Sequence, residues 1–171
     1  MNKINLNNLE LKIFTEQDAL DYCQINNINP DNITELYLQN NRLIDISGIK
    51  LFKNIEALYL EYNKLTDISV LNNLNKLETL LISNNQIKDI SVLKDLKNLE
   101  ILNISNNQIK DISVIQYLKN LQILRIDNLE LESDLFKYIK NLNNLKKLFC
   151  HNGFKDMSVL NKLNNNIETI K

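Results

Sequence analysis

The residues of this chain that could carry out covalent chemistry are Cys150 and His151, a thiol directly followed by an imidazole. A cysteine beside a histidine base can act as a nucleophile. However, Leu148 and Cys150 alternate as in a strand with one buried face, and adjacent residues of a strand point to opposite faces. We therefore predict that Cys150 is a buried apolar side chain which His151 cannot reach. Cys23 is the only other cysteine, so the sequence offers no disulfide framework.

The polar composition predicts no metal, cofactor or nucleic-acid site. One His and two Cys are too few for a typical zinc site, and two Gly cannot form a glycine-rich phosphate loop. Paired carboxylates for acid–base catalysis would have to converge in a pocket. The 20 basic and 21 acidic residues leave a formal net charge of −1, which is no electrostatic footprint for nucleic acid. We expect a protein without enzymatic activity, cofactor or metal.

The hydropathy pattern predicts no membrane partner. Residues 1–12 lack the continuous apolar core of a secretory signal. No stretch approaches the roughly 18 consecutive apolar residues that span a bilayer. A cytoplasmic location is therefore expected.

The strands and turns that must position these residues are encoded by an internal sequence repeat. Leu, Ile and Asn supply 31, 23 and 31 of the 171 residues, and Asp-Ile-Ser recurs every 22 residues, at 45–47, 67–69, 89–91 and 111–113. Four units align around it without gaps: Ile33–Asn54, Ile55–Lys76, Leu77–Asn98 and Leu99–Asn120. A fifth unit, Leu121–Asn144, has two extra residues, a sixth is Leu145–Asn166, and Ile167–Ile170 opens a seventh. This periodicity is typical of a solenoid of stacked coils.

Each part of the unit has a structural interpretation. The Leu-x-Leu core predicts a short strand with one buried face. The Asp of Asp-Ile-Ser can accept the backbone N–H two residues on and so start a short helical turn. The Asn after each strand can satisfy backbone groups in its own coil and in the next coil. We expect the remaining Asn residues to be surface filler and the following ones to form a ladder of such side chains: Asn41, Asn63, Asn85, Asn107, Asn128 and Asn152.

The pattern L-x-x-L-x-L-x-x-N-x-I-x-D-I-S-x-L resembles that of leucine-rich repeat proteins over residues 33–170. Its length is most similar to the repeats of the internalins and of the protein phosphatase-1 regulatory subunit. The resemblance implies an α/β fold, a right-handed leucine-rich repeat solenoid with a parallel concave β-sheet and short 3₁₀ or α segments on its convex side. It also implies a non-enzymatic module that binds a protein partner, although such solenoids serve many partners.

The start of the chain departs from the repeat. We expect residues 1–32 to form an N-terminal capping half-unit that shields the first coil from water. Leu9–Ile13 alternates like a strand, and Glu16 to about Asn26 is typical of a short helix. Thr15 and Asp18 have the spacing of a capping box at its N-terminus.

The rest of the chain, residues 33–171, is expected to form six repeats and a partial seventh, giving one domain overall. In the fifth unit, helical spacing after Ser133 predicts an α-helix on the convex side with that serine as its N-cap. The last segment, Ile167–Lys171, could leave a strand edge to which a second copy of the chain adds.

The concave face is the predicted binding surface, since the residues that flank each core leucine point toward it. Tyr and Arg are frequent in the centres of protein interfaces, and an apolar stripe with a polar rim suggests a binding surface. The predicted partner-binding residues are Tyr37, Tyr59, Glu61, Leu81, Ile101, Ile123, Arg125 and Phe149. The alternative is that these side chains suit a sheet face for packing reasons alone.

Three functions remain open. The first is a protein-binding module that regulates or inhibits an enzyme partner. The second is a structural protein that forms a homodimer or larger assembly through its C-terminal edge. The third is an internalin-like protein that contacts a host surface, which the expected cytoplasmic location argues against.

Overall fold

One parallel sheet runs through the molecule. The computed structural model describes residues 2–131, 135–152 and 167–170, and in these the chain forms eight strands that pair in sequence order. Strands β1 to β8 are Lys3–Asn5, Glu35–Tyr37, Ala57–Tyr59, Thr79–Leu81, Ile101–Asn103, Ile123–Arg125, Lys147–Phe149 and Glu168–Ile170. Each pairing is parallel. Parallel strands in strict chain order, joined by short turns, confirm the predicted solenoid.

The 22-residue period sets the register of the sheet. Leu36 pairs with Leu58, and Leu58 with Leu80, so each core leucine lies beside its equivalent in the next coil and is fully buried. Between β6 and β7 the partners are Leu124 and Leu148, a step of 24, as the two extra residues of the fifth unit predict. Because no single coil can bury its own apolar face, this stacking is the main source of stability.

Short helices cover the side opposite the sheet. The α-helices are α1 at Glu16–Ile25 and α2 at Leu135–Ile139, and the 3₁₀ turns are Pro30–Asn32, Ser47–Leu51, Ser69–Asn73, Ser91–Asp95 and Ser113–Tyr117. In the last four of these turns, the N–H of the Ser that begins the turn donates to Oδ1 of the Asp two residues before it, at 2.7 to 2.8 Å. This confirms the interpretation of Asp-Ile-Ser. Helix α2 is the one expected in the fifth unit, while its expected N-cap, Ser133, lies outside the described residues.

Asparagine side chains join consecutive coils inside the solenoid. Nδ2 of Asn85 donates to the carbonyl oxygens of Leu60 and Ile82 at 2.9 and 3.1 Å, and its Oδ1 accepts the N–H of Leu65 at 3.0 Å. Leu60 and Leu65 belong to the preceding coil and not, as expected, to the next one, so one amide satisfies backbone groups of its own coil and of the coil before it. Equivalent bonds confirm the ladder at Asn41, Asn63 and Asn107.

The ladder prediction is wrong for Asn128 and Asn152. Both have a left-handed backbone, with φ of 55° and 54°, and both are exposed. They share this conformation with the residue that precedes each ladder position: Asn40, Tyr62, Asn84 and Asn106. Asn tolerates it better than most residues do. In the fifth coil the ladder position falls on Leu129, which is buried, so matching by residue type misplaced Asn128 by one position.

Several Asn residues expected to be surface filler also join coils. Nδ2 of Asn98 donates to the carbonyl oxygen of Asn75, in the outer turn of the preceding coil, at 2.7 Å. The same bond forms at 2.8 to 3.0 Å from Asn54, Asn120 and Asn144. The expectation of filler is therefore wrong for these positions, which form a second, exposed ladder.

The N-terminal cap, residues 2–32, begins with a strand that the sequence pattern did not predict. Strand β1 lies at Lys3–Asn5, whereas the expected strand at Leu9–Ile13 is wrong, since only Ile13 forms an isolated bridge there. Positive φ at Asn8 and Glu10 turns the chain away from an extended path. The cap thereby contributes the first strand of the common sheet.

Helix α1 of the cap begins with the predicted capping box. The N–H of Thr15 donates to Oδ2 of Asp18 at 2.8 Å, and the N–H of Asp18 donates to Oγ1 of Thr15 at 3.2 Å. The hydroxyl of Thr15 also donates to Oδ2 of Asp18 at 2.7 Å, and this bond, followed by the one from the Thr15 N–H, holds the pKa of the Asp18 carboxyl below its ordinary range. Two unpaired N–H groups at the helix start are thus satisfied reciprocally.

Gly48 allows the cap to dock on the first repeat. It stands where the next three units have Val70, Val92 and Val114. Its N–H donates to the carbonyl oxygen of Phe14 at 2.7 Å, and a Cβ atom on it would lie 2.4 Å from the carbonyl oxygen of Thr15. A side chain here would push the cap off the first coil, so glycine is required by close backbone approach.

Candidate functional site

A stacked aromatic pair occupies the N-terminal part of the concave face. Tyr37 and Tyr59 end β2 and β3 and are partners in the sheet register. Because neighbouring strands lie about 4.8 Å apart, equal residues at this position bring their rings face to face. The ring centroids are 4.4 Å apart and the ring planes differ by 3°. Leu81 follows as the partner of Tyr59 on β4. All three side chains are half-buried, so they form one continuous apolar surface open to solvent.

Lys3 and Glu35 hold one edge of the tyrosine pair. The O–H of Tyr37 donates to Oε2 of Glu35 at 2.6 Å, and Nζ of Lys3 lies 2.7 Å from Oε1. The contact with Lys3, followed by that with Tyr37, holds the pKa of Glu35 below its ordinary range, and the carboxylate raises the pKa of the Tyr37 hydroxyl. Sequence reasoning missed Lys3, because Lys-Ile-Asn has a single apolar residue to mark β1.

The apolar surface continues diagonally toward the C-terminal coils. Ile101 and Ile123 are register partners on β5 and β6 and are half-buried. Beyond them, the guanidinium carbon of Arg125 lies 3.8 Å from the ring centroid of Phe149 on β7. Stacking of a guanidinium on an aromatic face is favourable. The structure therefore brings these four predicted residues together, with Arg125 already engaged by a neighbour.

Glu61, the remaining predicted residue, lies beside Gln39 just past the ends of β3 and β2. The N–H of Asn40 donates to the carbonyl oxygen of Glu61 at 2.9 Å, so these two segments of the chain stay parallel beyond the strands. Oε1 of Gln39 and Oε2 of Glu61 are buried, and neither has a hydrogen-bond partner within residues 2–131, 135–152 and 167–170. Burial of the carboxyl raises the pKa of Glu61. Gln39 was not predicted, although it belongs with Glu61 to one row of equivalent positions along the concave face, which was a signal for it. The row consists of Gln39, Glu61, Ser83, Ser105, Asp127 and His151.

The later members of this row satisfy one another. Oγ of Ser105 donates to Oδ2 of Asp127 at 3.2 Å and accepts the N–H of Asp127 at 3.0 Å. Oδ1 of Asp127 accepts the N–H of His151 at 2.7 Å. Ser83 and Ser105 are buried. This end of the row is therefore closed by its own hydrogen bonds.

The thiol and imidazole are placed as predicted. Cys150 is fully buried in the core, while His151 is exposed. Cys23 is also buried, which raises the pKa of its thiol. Within residues 2–131, 135–152 and 167–170, His, Cys, Asp and Glu form no group of three or more that could hold a metal ion.

A surface depression of about 680 Å³ lies among the turns that follow the strands, with Lys88, Asn107 and Glu130 in its lining. The predicted partner-binding residues do not line it. Over the part of the chain that the structure describes, no helix has both the length and the apolar character needed to cross a bilayer.

The chain matches one protein family by sequence. A family model described as Leucine Rich repeats (2 copies) matches residues 31–73, 75–117 and 97–137, which together are more than half of the chain. A search of curated proteins found no match.

Solved structures with a similar fold include three bacterial proteins. An internalin (inlF) of Listeria monocytogenes is 29% identical, with a TM-score of 0.83 over 99% of this chain and 47% of its own. An internalin C2 of the same species is 24% identical, with a TM-score of 0.72 over 99% of this chain and 80% of its own. A leucine-rich repeat protein of Leptospira interrogans is 24% identical, with a TM-score of 0.77 over 100% of this chain and 42% of its own. The chain thus spans about half the length of the first of these proteins. The two at 24% identity show a shared fold.

Proposed function

Since this chain belongs to the leucine-rich repeat family, whose members serve as protein-interaction modules, we propose that it binds a protein partner through its concave sheet face and has no enzymatic activity. The predicted residues Tyr37, Tyr59, Glu61, Leu81, Ile101, Ile123, Arg125 and Phe149 form this surface.

The observation that carries the proposal is the tyrosine pair. Tyr37 and Tyr59 are held rigidly, by stacking on each other at 4.4 Å and by the hydrogen bond of Tyr37 to Glu35. They are nevertheless half-buried rather than covered. Rigid aromatic side chains lose little conformational entropy on binding and dominate many interfaces. A partner that covers this pair gains contact area without having to order it.

Within this function, we propose the role of a cytoplasmic regulator or inhibitor of an enzyme. Addition of purified protein should then change the activity of the captured partner. An internalin-like contact with a host surface is separated from this by localising the tagged protein. Self-association through β8 is a different prediction, and a concentration-dependent dimer in sedimentation would support it.

The test is affinity capture with mass spectrometry from the source cell, comparing wild type with the double variant Tyr37→Ala, Tyr59→Ala. Loss of two central aromatic contacts should weaken binding of a captured partner about 100-fold or more. A matched control is the double variant Tyr62→Asn, Tyr117→Ala, which removes two tyrosines that are 58% and 51% exposed and lie outside the strands. Asn at 62 is the residue that the equivalent positions carry.

Circular dichroism and thermal unfolding should show both double variants folded. If the Tyr37→Ala, Tyr59→Ala variant captures the same proteins with unchanged affinity, the assignment of partner binding to the concave face is wrong.

A further inference from the structure

Two adjacent side chains on the concave face each end in an acceptor oxygen that no group among the described residues satisfies. Oε1 of Gln39 and Oε2 of Glu61 are buried without a hydrogen-bond partner. The coils are in register here, since the N–H of Leu38 donates to the carbonyl oxygen of Tyr59 at 2.9 Å and that of Asn40 to Glu61 at 2.9 Å. Gln39 and Glu61 are therefore direct neighbours across coils, with backbones about 4.8 Å apart.

The two side chains lie on the same side of the sheet as the tyrosine pair. Each follows its tyrosine by two residues, and side chains two apart in an extended segment point to the same face. A half-buried carboxyl and amide thus lie directly beside Tyr37 and Tyr59. The nearby carboxylate of Glu35 is already neutralised, because Lys3 lies 2.7 Å from it. Glu61 has no such cation: among the described residues, the ion pairs found involve other carboxylates.

Leaving such oxygens unpaired opposes folding. A buried acceptor without a partner loses its hydration and gains nothing in return. Burial raises the pKa of Glu61 for the same reason. Groups of this kind in a native protein call for an explanation, and a ligand that supplies the missing donors is one.

The chemistry of the missing ligand follows from the acceptors. An acidic oxygen and an amide oxygen from neighbouring coils suit a group with several N–H donors and a positive charge. A guanidinium offers five donors in a plane and also stacks on aromatic rings, whereas an ammonium is a compact and strongly hydrated charge. The same face already holds such a contact, where Arg125 stacks on Phe149 at 3.8 Å.

We propose that Gln39 and Glu61 form a subsite for an arginine side chain of the protein partner, with its guanidinium against Tyr59. The inference rests on the proposed function and names the chemistry that the partner must present. It makes Glu61 and Gln39 the residues that determine specificity, while the tyrosine pair supplies contact area.

The test uses a defined probe and the full chain. A blocked tripeptide Gly-Arg-Gly is titrated to about 50 mM into isotope-labelled protein, because single-side-chain contacts bind at millimolar strength, and shifts of the Gln39 and Glu61 amide resonances are followed by NMR. The same peptide with citrulline, which is neutral but nearly isosteric with arginine, is the matched ligand control. A lysine peptide tests the preference for guanidinium.

The expected result is a saturable shift centred on Gln39, Tyr59 and Glu61 with the arginine peptide, weaker with lysine and absent with citrulline. Glu61→Gln should weaken the arginine peptide about tenfold, the usual effect of losing one charged hydrogen bond. Glu78→Gln, which changes an exposed carboxyl at the sheet edge, is the matched protein control and should leave the shift unchanged. Glu61→Gln should also keep or raise the melting temperature, which a purely structural role for Glu61 would not allow.

Two results would overturn the subsite. One is the absence of any shift at these residues, and the other is an equal response to arginine and citrulline. Either outcome leaves the proposed function standing if the tyrosine variant still loses its captured partner. If capture is insensitive to the tyrosines but the peptide still shifts Glu61, the concave-face function is wrong and the subsite alone remains.

Discussion

The two ends of one row on the concave face differ in how their polar groups are satisfied. At the N-terminal end, Gln39 and Glu61 leave buried oxygens unpaired. At the C-terminal end, Ser105 and Asp127 exchange two hydrogen bonds, and Asp127 also accepts the N–H of His151. The backbone beneath both ends follows the same repeat, so the difference lies in the side chains alone.

This comparison shows where binding capacity is to be sought in a regular solenoid. Short Ser and Asp side chains reach each other and the backbone of the next coil, so their hydrogen bonds are made within the protein. The longer Gln39 and Glu61 present unpaired acceptors, next to a tyrosine pair that is already ordered. Binding is therefore expected where the side chains of the repeat leave polar groups without hydrogen-bond partners.

The largest effect is expected inside the scaffold that both ends share. Asn85→Ala removes donors from the carbonyl oxygens of Leu60 and Ile82 and the acceptor of the Leu65 N–H. Leaving these buried groups unpaired should lower the free energy of unfolding by about 3 kcal/mol or more, as urea denaturation would measure.

The matched control for this prediction is Asn98→Ala, in the exposed outer ladder. It breaks one bond, to the carbonyl oxygen of Asn75, in a place where water can replace it. Its cost should be at most about 1 kcal/mol. Equal losses for the two variants would contradict the view that the inner ladder is the buried framework of both ends.

The closed end of the row should respond in stability and not in binding. Ser105→Ala removes both bonds between Ser105 and Asp127 and should cost about 1.5 kcal/mol in thermal or chemical unfolding. The shift caused by the arginine peptide at Glu61 should stay the same. A weakened peptide response would show that the two ends are coupled.

The double variant Arg125→Ala, Phe149→Ala compares the two aromatic contacts of the face. Arg125 is a long, exposed side chain that stacks on Phe149, and ordering it costs more conformational entropy than ordering the half-buried tyrosine pair, so a partner gains less from this contact. We expect partner affinity, measured by calorimetry, to fall about fivefold, well below the effect of removing Tyr37 and Tyr59. A larger loss than that of the tyrosine variant would place the centre of the interface at the C-terminal end.

The smallest effect is a difference in pH dependence between Glu61 and Glu35. Burial raises the pKa of Glu61 in the folded state, so its stabilising contribution is full below the ordinary value of 4.5 and is lost as pH rises through the folded value. Glu61→Gln should therefore melt higher than wild type at neutral pH, with the advantage vanishing below pH 4.5.

Glu35 has the opposite sign. Its pKa is lowered, first by Lys3 and then by Tyr37, so it stabilises the protein above its ordinary value and loses this as pH falls through the lowered one. Glu35→Gln should melt lower than wild type at neutral pH, with the gap closing in acid. Melting temperatures of both variants, measured from about pH 3 to about pH 8 and so on both sides of the ordinary glutamate pKa, would check the direction of both stability changes.

Much of the fold followed from local pattern. The spacing of Asp-Ile-Ser predicted the position of each turn, because the Asp side chain and the N–H it binds are two residues apart in one coil. Strand β1 was not predicted, because its parallel pairing with Glu35–Tyr37 forms only after the chain has passed through the whole cap and returned beside it. Asn128 was misplaced for a related reason: residue type suggested the ladder, whereas the sheet register assigns that position to Leu129.

Of the candidate site, alternation along the strands identified which residues share the concave face. It could not reveal that the two tyrosines stack, that Arg125 is engaged, or that Gln39 belongs with Glu61. Those facts depend on side-chain conformations and on what neighbouring coils leave unsatisfied.

The sequence by itself determined the period, the register and the four ladder positions in the regular units, because each is a local property repeated every 22 residues. Only the tertiary structure showed which departures from the repeat have a structural or functional role. Gly48 is needed because the cap backbone approaches within 2.4 Å of where its Cβ would be. One oxygen of Gln39 and one of Glu61 are buried without a hydrogen-bond partner in the part of the chain that the structure describes. Both depend on contacts between residues distant in the chain, and a repeating local pattern carries no record of those.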